Sequence, residues 1–264
     1  MNNLYIIKCG GHFVGEKPWI TPFLSAVKKL VEEGSFIVIV HGGGPQADDL
    51  ARKLKVPVKK IKGRRVTDLD TLQIVKMTYA GLINTDLVAL CVGSGIAAIG
   101  ISGVNSKLAE VVKRPKKLGI DFGYVGDIKN INKKLLQLLL ENGYVPIISS
   151  LGVDKSGQVF NINADGLAVH IASSLQAKKL IFISDVEGVK EDKTQGKFLR
   201  NLTLSKAKEL ISKGIISGGM IPKIENSYLA LEKGIKKVQI LGPLKTQTQW
   251  KKAILNHMFG TVIA

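Results

Sequence analysis

The sequence is poor in several residue types that mark particular classes of protein. Only two cysteines, Cys9 and Cys91, occur in 264 residues, which favours a reducing compartment over a disulfide-bonded scaffold. Aromatic residues are scarce and not interleaved with basic ones, so no platform for stacking bases is visible. No unbroken apolar run approaches the ~20 residues of a membrane span, and "MNNLYIIKCGG" lacks a signal-peptide layout. We therefore expect a cytoplasmic protein without a membrane partner.

Acidic residues are also scarce: 21 Asp and Glu stand against 38 Lys and Arg, a formal net charge of +17. Such a charge is typical of nucleic-acid-binding proteins. Here the lysines are spread along the chain in short stretches such as "AVKKL", "VPVKKIKGRR" and "INKKL", which favours a solvated, lysine-rich surface and no nucleic-acid partner. A positive field would still draw an anionic substrate or an acidic protein toward a cleft.

Of two familiar phosphate-binding motifs, one is absent and the other occurs only in the wrong structural context. The pattern G-x-x-x-x-G-K-[ST] does not occur, so the chain is not a P-loop enzyme. The stretch "GSGIAA" (93–98) fits G-x-G-x-x-[GA], but it precedes a predicted strand and is interpreted as a helix end. The four histidines and two cysteines show no ligand spacing, so no protein-bound metal is predicted.

Apolar strand-like runs alternate with amphipathic helical stretches along the chain. Strands are predicted at 4–8, 36–40, 97–101, 145–149, 180–184 and 237–241, and helices at 19–33, 45–54, 69–92, 132–142, 164–176, 204–213, 221–233 and 246–257. The strand runs are short and apolar on both faces, as buried parallel strands are. The pattern predicts an α/β fold with a mostly parallel sheet covered on both faces. The stretch 107–131 predicts β-hairpins at one edge, and a domain boundary is predicted near 178.

Glycines follow the first two predicted strands, in "KCGG" (8–11) and "HGGG" (41–44). Ligands of open α/β sheets lie beyond the carboxyl ends of the strands. Bare glycine backbone there lets N–H groups approach an anion, and Pro45 suits the first turn of the next helix. A tight turn needs only one glycine, so the triple glycine favours an anion or phosphate cradle. Lys8 would place its ammonium group at the same edge, unless it is a surface lysine.

Two further polar clusters stand at predicted helix starts. In "FNINADGLAVHIA", Asn161, Asn163 and Asp165 recur within five residues. Helix capping explains each of them singly, but together they place an acidic group where it would orient lysines. In "SGGMIPKIENS", Lys223 lies in a first helical turn, where a cation opposes the helix dipole by about 0.3–1 kcal/mol. That lysine is either solvated or placed to meet an anion.

Taken together, these loops resemble those of the amino acid kinase family. The resemblance covers about residues 4–263 and, within the family, extends to the members that phosphorylate N-acetylglutamate. The resemblance rests on "IKCGG", "VIVHGGGPQ", "GRRVTD", "NINAD", "SDVEGV" and "SGGMIPKIENS". It implies a three-layer α/β/α sandwich with a mostly parallel central sheet. It also implies an N-terminal lobe, 1–178, that binds N-acylglutamate and dimerises, and a C-terminal lobe, 179–264, that binds ATP with Mg²⁺.

The resemblance further implies an ATP-dependent kinase acting on the side-chain carboxylate of N-acetyl-L-glutamate, the second step of arginine biosynthesis. Lys8 and Lys223 would stabilise the phosphoryl group during its transfer, and Asp165 would orient the two lysines. The implied substrate-binding residues are Gly43, Gly44, Arg65 and Asn161. The implied ATP-binding residues are Gly10, Gly11, Ser184, Asp185, Gly188, Ile215, Ile216 and Ser217.

Several departures from the family pattern leave alternatives open. The sequence has "INT" at 83–85, Val104, Asn105 and Ser106 after "SG", and "LGPLKTQ" near its C-terminus. The stretches "VKRP" and "DFGYVGD" resemble relatives that use N-succinylglutamate, which is one alternative substrate. The basic charge suits another, aminoadipate or glutamate linked to an acidic carrier protein. A regulatory or nucleic-acid-binding protein on a retired kinase fold is the non-enzyme alternative. Because the first strand begins by Leu4, with no extra helix before it, we expect a homodimer without arginine inhibition.

Overall fold

The computed structural model of the chain describes residues 3–61, 63–116, 119–192 and 197–263. The strands in these ranges are β1 (Leu4–Cys9), β2 (Phe36–His41), β3 (Lys60–Ile61), β4 (Arg64–Arg65), β5 (Ala98–Ser102), β6 (Ala109–Lys113), β7 (Gly126–Ile131), β8 (Val145–Ser149), β9 (Leu151–Val153), β10 (Val159–Asn161), β11 (Lys179–Ile183), β12 (Asn201–Leu202), β13 (Val238–Leu241) and β14 (Thr261–Ile263). The α-helices are α1 (Gly11–Gly15), α2 (Lys17–Glu32), α3 (Gly44–Lys53), α4 (Leu69–Val75), α5 (Asn84–Gly93), α6 (Lys133–Glu141), α7 (Ala164–Ser174), α8 (Leu204–Ser212), α9 (Met220–Glu232) and α10 (Gln247–Leu255). A π-helical segment, Lys76–Ile83, joins α4 to α5, and a 3-10 turn, Asn105–Lys107, precedes β6.

Eight strands form the central sheet, in the order β12-β14-β13-β11-β1-β2-β8-β5. All neighbouring pairs in it are parallel except β13 and β14. A second sheet has the order β10-β9-β6-β7, and β3 and β4 form a short hairpin. The predicted α/β sandwich with a mostly parallel sheet is confirmed.

Helices cover both faces of the central sheet because successive side chains of a strand point to opposite faces. On β1, Leu4 and Ile6 join a core that contains residues of α6, α7 and α9. Tyr5 and Ile7 join a second core, which contains residues of α2, α5 and α10. The two cores are the two sides of a three-layer molecule. This parity also decides which layer each polar side chain of a strand meets.

The sequence pattern located the main elements well. Each of the six predicted strands lies within one residue of an observed strand, and each predicted helix within two residues of an observed helical segment. The helix that ends at Gly93, just before β5, confirms the interpretation of "GSGIAA". One prediction was wrong in place: β6 and β7 pair antiparallel, but in the separate four-stranded sheet and not at an edge of the central one. The short strands β9, β10, β12 and β14 were not predicted, because two or three residues are too few to show an alternating pattern.

The continuous helical stretch 69–93 is long and apolar enough to cross a membrane by length and composition alone, with a mean hydropathy of 1.3 over an 18-residue window. Core helices of soluble proteins pass the same test, and one face of this stretch contributes Ile74, Val75, Tyr79 and Ile83 to a buried cluster. The apolar helix does not by itself make this a membrane protein.

Candidate active site

The loops that follow three neighbouring strands meet at one edge of the central sheet. Strand β1 lies between β11 and β2, and Lys8 near its carboxyl end pairs in register with Phe182 and Val40. Because all three strands are parallel, their carboxyl ends share this edge. The loops Gly10–Gly11, Gly42–Gly44 and Ser184–Asp185 therefore gather around one point, as the sequence predicted.

Close packing between these loops accounts for the first glycine pair. A Cβ on Gly11 would lie 2.8 Å from Cδ of Pro45, and the side-chain amide of Gln46 donates to Gly11 O at 2.6 Å. A Cβ on Gly10 would lie 3.3 Å from Ile183 O and 3.9 Å from a carboxylate oxygen of Asp185. The first loop is thus held between the other two, with no room for side chains.

A carboxylate bridges two lysines at the same edge. Lys8 Nζ lies 2.8 Å from Asp165 Oδ1, and Lys223 Nζ lies 3.5 Å from Asp165 Oδ2. Lys8 is on the α7 face of β1, the face of Leu4 and Ile6, and Asp165 lies in the first turn of α7. Lys223 comes from the first turn of α9, which packs against α7. All three side chains are at most 16% exposed.

Burial and charge act in opposite directions on this cluster. Burial alone would raise the pKa of the Asp165 carboxyl, but the neighbouring Lys8 and Lys223 outweigh it and hold that pKa below its usual value. Burial lowers the pKa of Lys223, and the charge of Asp165 partly offsets this. The carboxylate therefore stays ionised and holds two ammonium groups in place beside the glycine loops.

The second glycine loop leads into the N-terminus of α3. Gly43 is the N-cap residue and has no side chain to cap the helix, so the N–H groups of the first turn point outward without a helical acceptor. The partial positive charge at a helix N-terminus favours an anion there. A Cβ on Gly44 would meet nothing within 4 Å, whereas a Cβ on Gly43 would lie 2.2 Å from Ile83 and 2.8 Å from Tyr79. Gly43 is thus required by packing, and the space beside Gly44 is open.

Arg65 lies beside this helix start with part of its guanidinium group unused. Its Nη2 donates to Gly44 O at 3.0 Å and to Asp48 Oδ1 at 2.6 Å. Its Nη1 is buried and has no hydrogen-bond partner among the described residues. A buried, always-charged donor without a partner is rare and is suited to a carboxylate ligand.

Asn161, at the end of β10, is placed against the segment that follows Arg65. Its side-chain amide donates to the Thr67 hydroxyl at 3.0 Å, and its backbone N–H donates to Tyr124 O at 2.9 Å. Asn163 caps α7 by accepting from Gly166 N–H at 2.7 Å, as the sequence predicted. The structure thus brings Asn161 and Arg65 to neighbouring positions through Thr67.

The remaining predicted residues lie along the C-terminal half of the sheet. Ser184 is half-buried at the end of β11, where its N–H donates to Leu241 O at 2.8 Å, and Asp185 is exposed. Gly188 is packed against β14, and a Cβ on it would lie 2.8 Å from the Thr261 hydroxyl.

The segment Ile215–Ser217 leads into α9, ahead of Lys223. Ile215 is half-buried, Ser217 is exposed, and Ile216 belongs to the core on the α7 face. Within the described residues, no hydrogen bond or ion pair joins this segment to the Lys8–Asp165–Lys223 cluster. It approaches the cluster only through the helix start that carries Lys223.

Sequence reasoning missed four residues that shape the site. Asp48 holds Arg65, and Tyr79 and Ile83 leave room only for glycine at position 43. Asn84 donates to the ring of His41, for which the sequence suggested no role. The alternation of side chains along β2 places His41 on the same face as Ile37 and Ile39, against α5. This alternation was the one sequence signal that could have shown which layer His41 contacts.

The profile of the amino acid kinase family matches residues 3–242. The chain belongs to the amino acid kinase family. The acetylglutamate kinase of Sorangium cellulosum (strain So ce56) is 38% identical over 266 residues, which span 98% of this chain and 93% of that protein. The acetylglutamate kinase of Methanocaldococcus jannaschii is 40% identical over 250 residues, which span 90% of this chain and 82% of that protein. The resemblance found in the sequence motifs is confirmed.

Solved structures extend the comparison to the fold of this amino acid kinase. The crystal structure of smu.665 from Streptococcus mutans UA159 has a TM-score of 0.86 and 34% identity, and the match covers 100% of this chain and 99% of that one. Carbamate kinase from Giardia lamblia bound to AMP-PNP has a TM-score of 0.70 at 16% identity, covering 99% of this chain and 98% of that one. The second likeness concerns the fold alone.

Proposed function

We propose that this amino acid kinase transfers the γ-phosphoryl group of ATP to the side-chain carboxylate of N-acetyl-L-glutamate. The products are N-acetylglutamyl 5-phosphate and ADP, and the reaction is the second step of arginine biosynthesis. Relatives of 38% and 40% identity that bear the name acetylglutamate kinase support this assignment. The observation that carries it is the pair of lysines, Lys8 buried and Lys223 largely buried, joined by Asp165 where the glycine loops meet.

The reaction brings two anions together, so positioning and charge stabilisation supply nearly all of the catalysis. A substrate carboxylate oxygen attacks the γ-phosphorus, an O–P bond forms, and the bond to the bridging oxygen breaks with its electron pair on ADP. No proton must be removed, because a carboxylate is already a nucleophile. Lys8 and Lys223 would stabilise the charge that develops on the transferred group, and Asp165 would keep them apart and oriented.

The acceptor would lie between the second glycine loop and Arg65. The unpartnered Nη1 of Arg65 would bind the α-carboxylate, and Asn161 would hydrogen-bond the N-acyl group. The N–H groups of Gly43 and Gly44 would hold the reacting carboxylate at the N-terminus of α3. These residues together would bind a small anionic substrate.

The C-terminal half, residues 179–264, would bind the nucleotide. The N-terminal half, residues 1–178, would bind the acceptor. Gly10 and Gly11 would donate N–H groups to the phosphates of the nucleotide, with Ser184, Asp185, Gly188 and the segment 215–217 along its path. Within the described ranges no cluster of three or more His, Cys, Asp or Glu side chains is arranged to hold a metal ion. We propose that Mg²⁺ therefore arrives on the phosphates of ATP.

The alternatives raised by the sequence are less well supported. The two curated relatives described above are both named acetylglutamate kinase, and neither carries the name of an enzyme of carrier-linked or succinylated substrates. A retired kinase fold would be expected to lack part of the charged cluster, whereas Lys8, Asp165 and Lys223 are present and in contact. The catalytic assignment is therefore preferred over a regulatory or nucleic-acid-binding role.

We also propose that the protein is a cytoplasmic homodimer. Strand β5 is an edge of the central sheet, and the helical stretch above it exposes Met77, Leu82 and Val92 by more than half. An unpaired strand edge beside exposed apolar side chains favours association with a second copy. Sedimentation velocity on the purified protein should give a dimer, and Leu82→Glu should give a monomer. A wild-type monomer at micromolar concentration would contradict the proposal.

The test of function is ATP turnover against a panel of N-acyl glutamates, with hydroxylamine trapping of the acyl phosphate. N-acetylglutamate should be phosphorylated, and Lys8→Ala and Lys223→Ala should each lose about 10²–10³ in kcat. The exposed Lys236→Ala is the matched control and should retain activity. Lack of activity on every member of the panel would overturn the assignment. A folded Lys223→Ala protein with normal turnover would remove that lysine from the mechanism.

A further inference from the structure

His41 is a fully buried side chain for which the proposed reaction has no use. Its Nδ1 lies 2.8 Å from Gly42 O, and its Nε2 lies 3.0 Å from the side-chain nitrogen of Asn84. A carbonyl oxygen can only accept, so Nδ1 carries the proton and Nε2 accepts from Asn84. Burial lowers the pKa of His41 to about 4, so the ring is neutral near pH 7. The ring is therefore held in one tautomer and one orientation.

Asn84 is itself fixed from two sides. Its amide nitrogen donates to His41 and, at 2.9 Å, to Ile147 O on β8, and Ile101 O on β5 lies at the longer distance of 3.5 Å. Gly100 on β5 makes room for it, since a Cβ there would lie 2.2 Å from Asn84 Oδ1. Asn84 stands where the π-helical segment gives way to α5, and such segments are frequent at functional sites. A continuous set of contacts thus runs from the sheet through Asn84 and His41 to Gly42.

The hydrogen bond to Gly42 O controls the next N–H group. A trans peptide is planar, so its carbonyl and N–H point in opposite directions. With Gly42 O turned toward the His41 ring, the N–H of Gly43 is directed away from it. That N–H has no acceptor within the parts of the chain that are described. Glycine restricts its own backbone little, so hydrogen bonds to the peptide groups set the orientation of this loop. Gly43 O accepts from Ala47 N–H at 2.8 Å, and the His41 ring is the contact that serves Gly42 O.

We propose that His41, held by Asn84, is the positioning residue that fixes the Gly42–Gly43 peptide and so keeps the N–H groups of Gly43 and Gly44 ready for the acceptor carboxylate. The inference rests on the proposed function for its catalytic consequence. Its structural part concerns the free protein and can be tested without substrate. A purely structural His41 would support the fold and leave the conformation of the loop unchanged.

The experiment compares His41→Leu, which removes the donor, with His41→Asn, whose amide nitrogen can stand close to Nδ1 and restore it. Gln239→Leu is the matched control, because Gln239 is equally buried and donates to Phe259 O in the C-terminal half. Spectra of [¹⁵N]glycine-labelled protein are recorded without ligands, and the Gly43 and Gly44 amides are assigned by alanine substitution. Steady-state kcat and KM for ATP and N-acetylglutamate are measured in parallel.

For His41→Leu we expect the amide signals of Gly43 and Gly44 to broaden or split, while Gln239→Leu leaves them sharp. Loss of one preorganised donor lowers kcat by about 10²–10³-fold, so loosening the loop should lower it about 10-fold or more, with KM for ATP nearly unchanged. His41→Asn should recover most of both effects. Unchanged glycine signals in a folded His41→Leu protein, or no recovery in His41→Asn, would overturn the inference.

The outcomes separate the inference from the proposed function. A wild-type protein that phosphorylates no N-acyl glutamate would end the proposed function, and the glycine spectra alone would then decide the positioning role. If His41→Leu does not fold, Asn84→Ala replaces it, because that variant keeps the ring but frees Nε2. Sharp, unshifted Gly43 and Gly44 signals in Asn84→Ala would equally contradict the positioning role.

Discussion

Asp165 is the residue whose neutralisation should disturb this protein most. Its carboxylate is 2.8 Å from one lysine ammonium and 3.5 Å from the other, and its side chain is 8% exposed. Asp165→Asn keeps the shape of the side chain and removes the negative charge. Two ammonium groups, on Lys8 and Lys223, would then lie close together in a largely buried space, with only the more distant carboxylate of Asp185 acting on Lys223. The perturbation is therefore electrostatic, with little change in packing.

The expected loss of stability follows from the burial of both lysines. Removing one partner from a buried ion pair destabilises a protein by about 3–5 kcal/mol, because a charge is left without compensation. Two lysines depend on this one carboxylate, so we expect a value in the upper part of that range. At a slope of about 3 kcal/mol per molar urea, a loss of about 4–5 kcal/mol would lower the unfolding midpoint by about 1.3–1.7 M. Urea unfolding followed by circular dichroism measures this shift.

A charge-free variant separates stability from catalysis. Lys8→Met, Asp165→Asn and Lys223→Met together remove all three charges, and such replacements of buried ion networks are often neutral or stabilising. The triple variant should regain most of the stability lost by Asp165→Asn, yet phosphorylate no substrate. An Asp165→Asn protein with the wild-type midpoint would refute the reasoning. So would a triple variant no more stable than the single one.

Three further predictions concern the glycine loop and its neighbours. Gly44→Ala should keep the wild-type urea midpoint but lose turnover, because its methyl group enters open space, whereas Gly43→Ala should lose stability against Tyr79 and Ile83; equal midpoints for the two would contradict the packing. Arg65→Gln should raise KM for N-acetylglutamate about 10–100-fold with little change in kcat, as expected for a lost charged hydrogen bond. His41 has its folded-state pKa lowered from 6.5 to about 4, so the unfolded chain binds more protons and stability falls as pH drops through this window. Relative to His41→Asn, wild-type protein should lose about 3 kcal/mol between pH 7 and pH 4, measured by urea unfolding, and a constant difference would exclude a buried neutral ring.

The sequence was informative wherever a local pattern repeats or a motif is contiguous. The apolar runs located six of the eight strands of the central sheet within one residue, since short buried runs bounded by glycine have few other interpretations. Lys8, Asp165 and Lys223 were selected by their places at strand and helix ends, and the structure does bring them together. Their catalytic roles stay predictions.

What the sequence could not provide is contact between distant segments. Asp48 holds Arg65 across 17 positions of the chain, and Asn84 meets His41 across 43. Neither pair has a spacing that distinguishes it from chance. The π-helical segment was also unreadable, because its 8 residues make too few turns to show a changed period within the apolar pattern of 69–93. These contacts depend on strand order, which local patterns do not specify.

The central sheet divides the support of the site between its two faces. The alternation of side chains along β1 places Lys8 on the α7 face, where it pairs with Asp165. The same alternation along β2 places His41 on the α5 face, where it accepts a hydrogen bond from Asn84. Charge is therefore arranged from one layer and loop geometry from the other. The three glycines lie between these layers at the sheet edge and cannot orient themselves. It follows that substitutions in the α5 layer should lower kcat through the glycine loop, whereas Asp165→Asn should lower it through the charge that holds the two lysines.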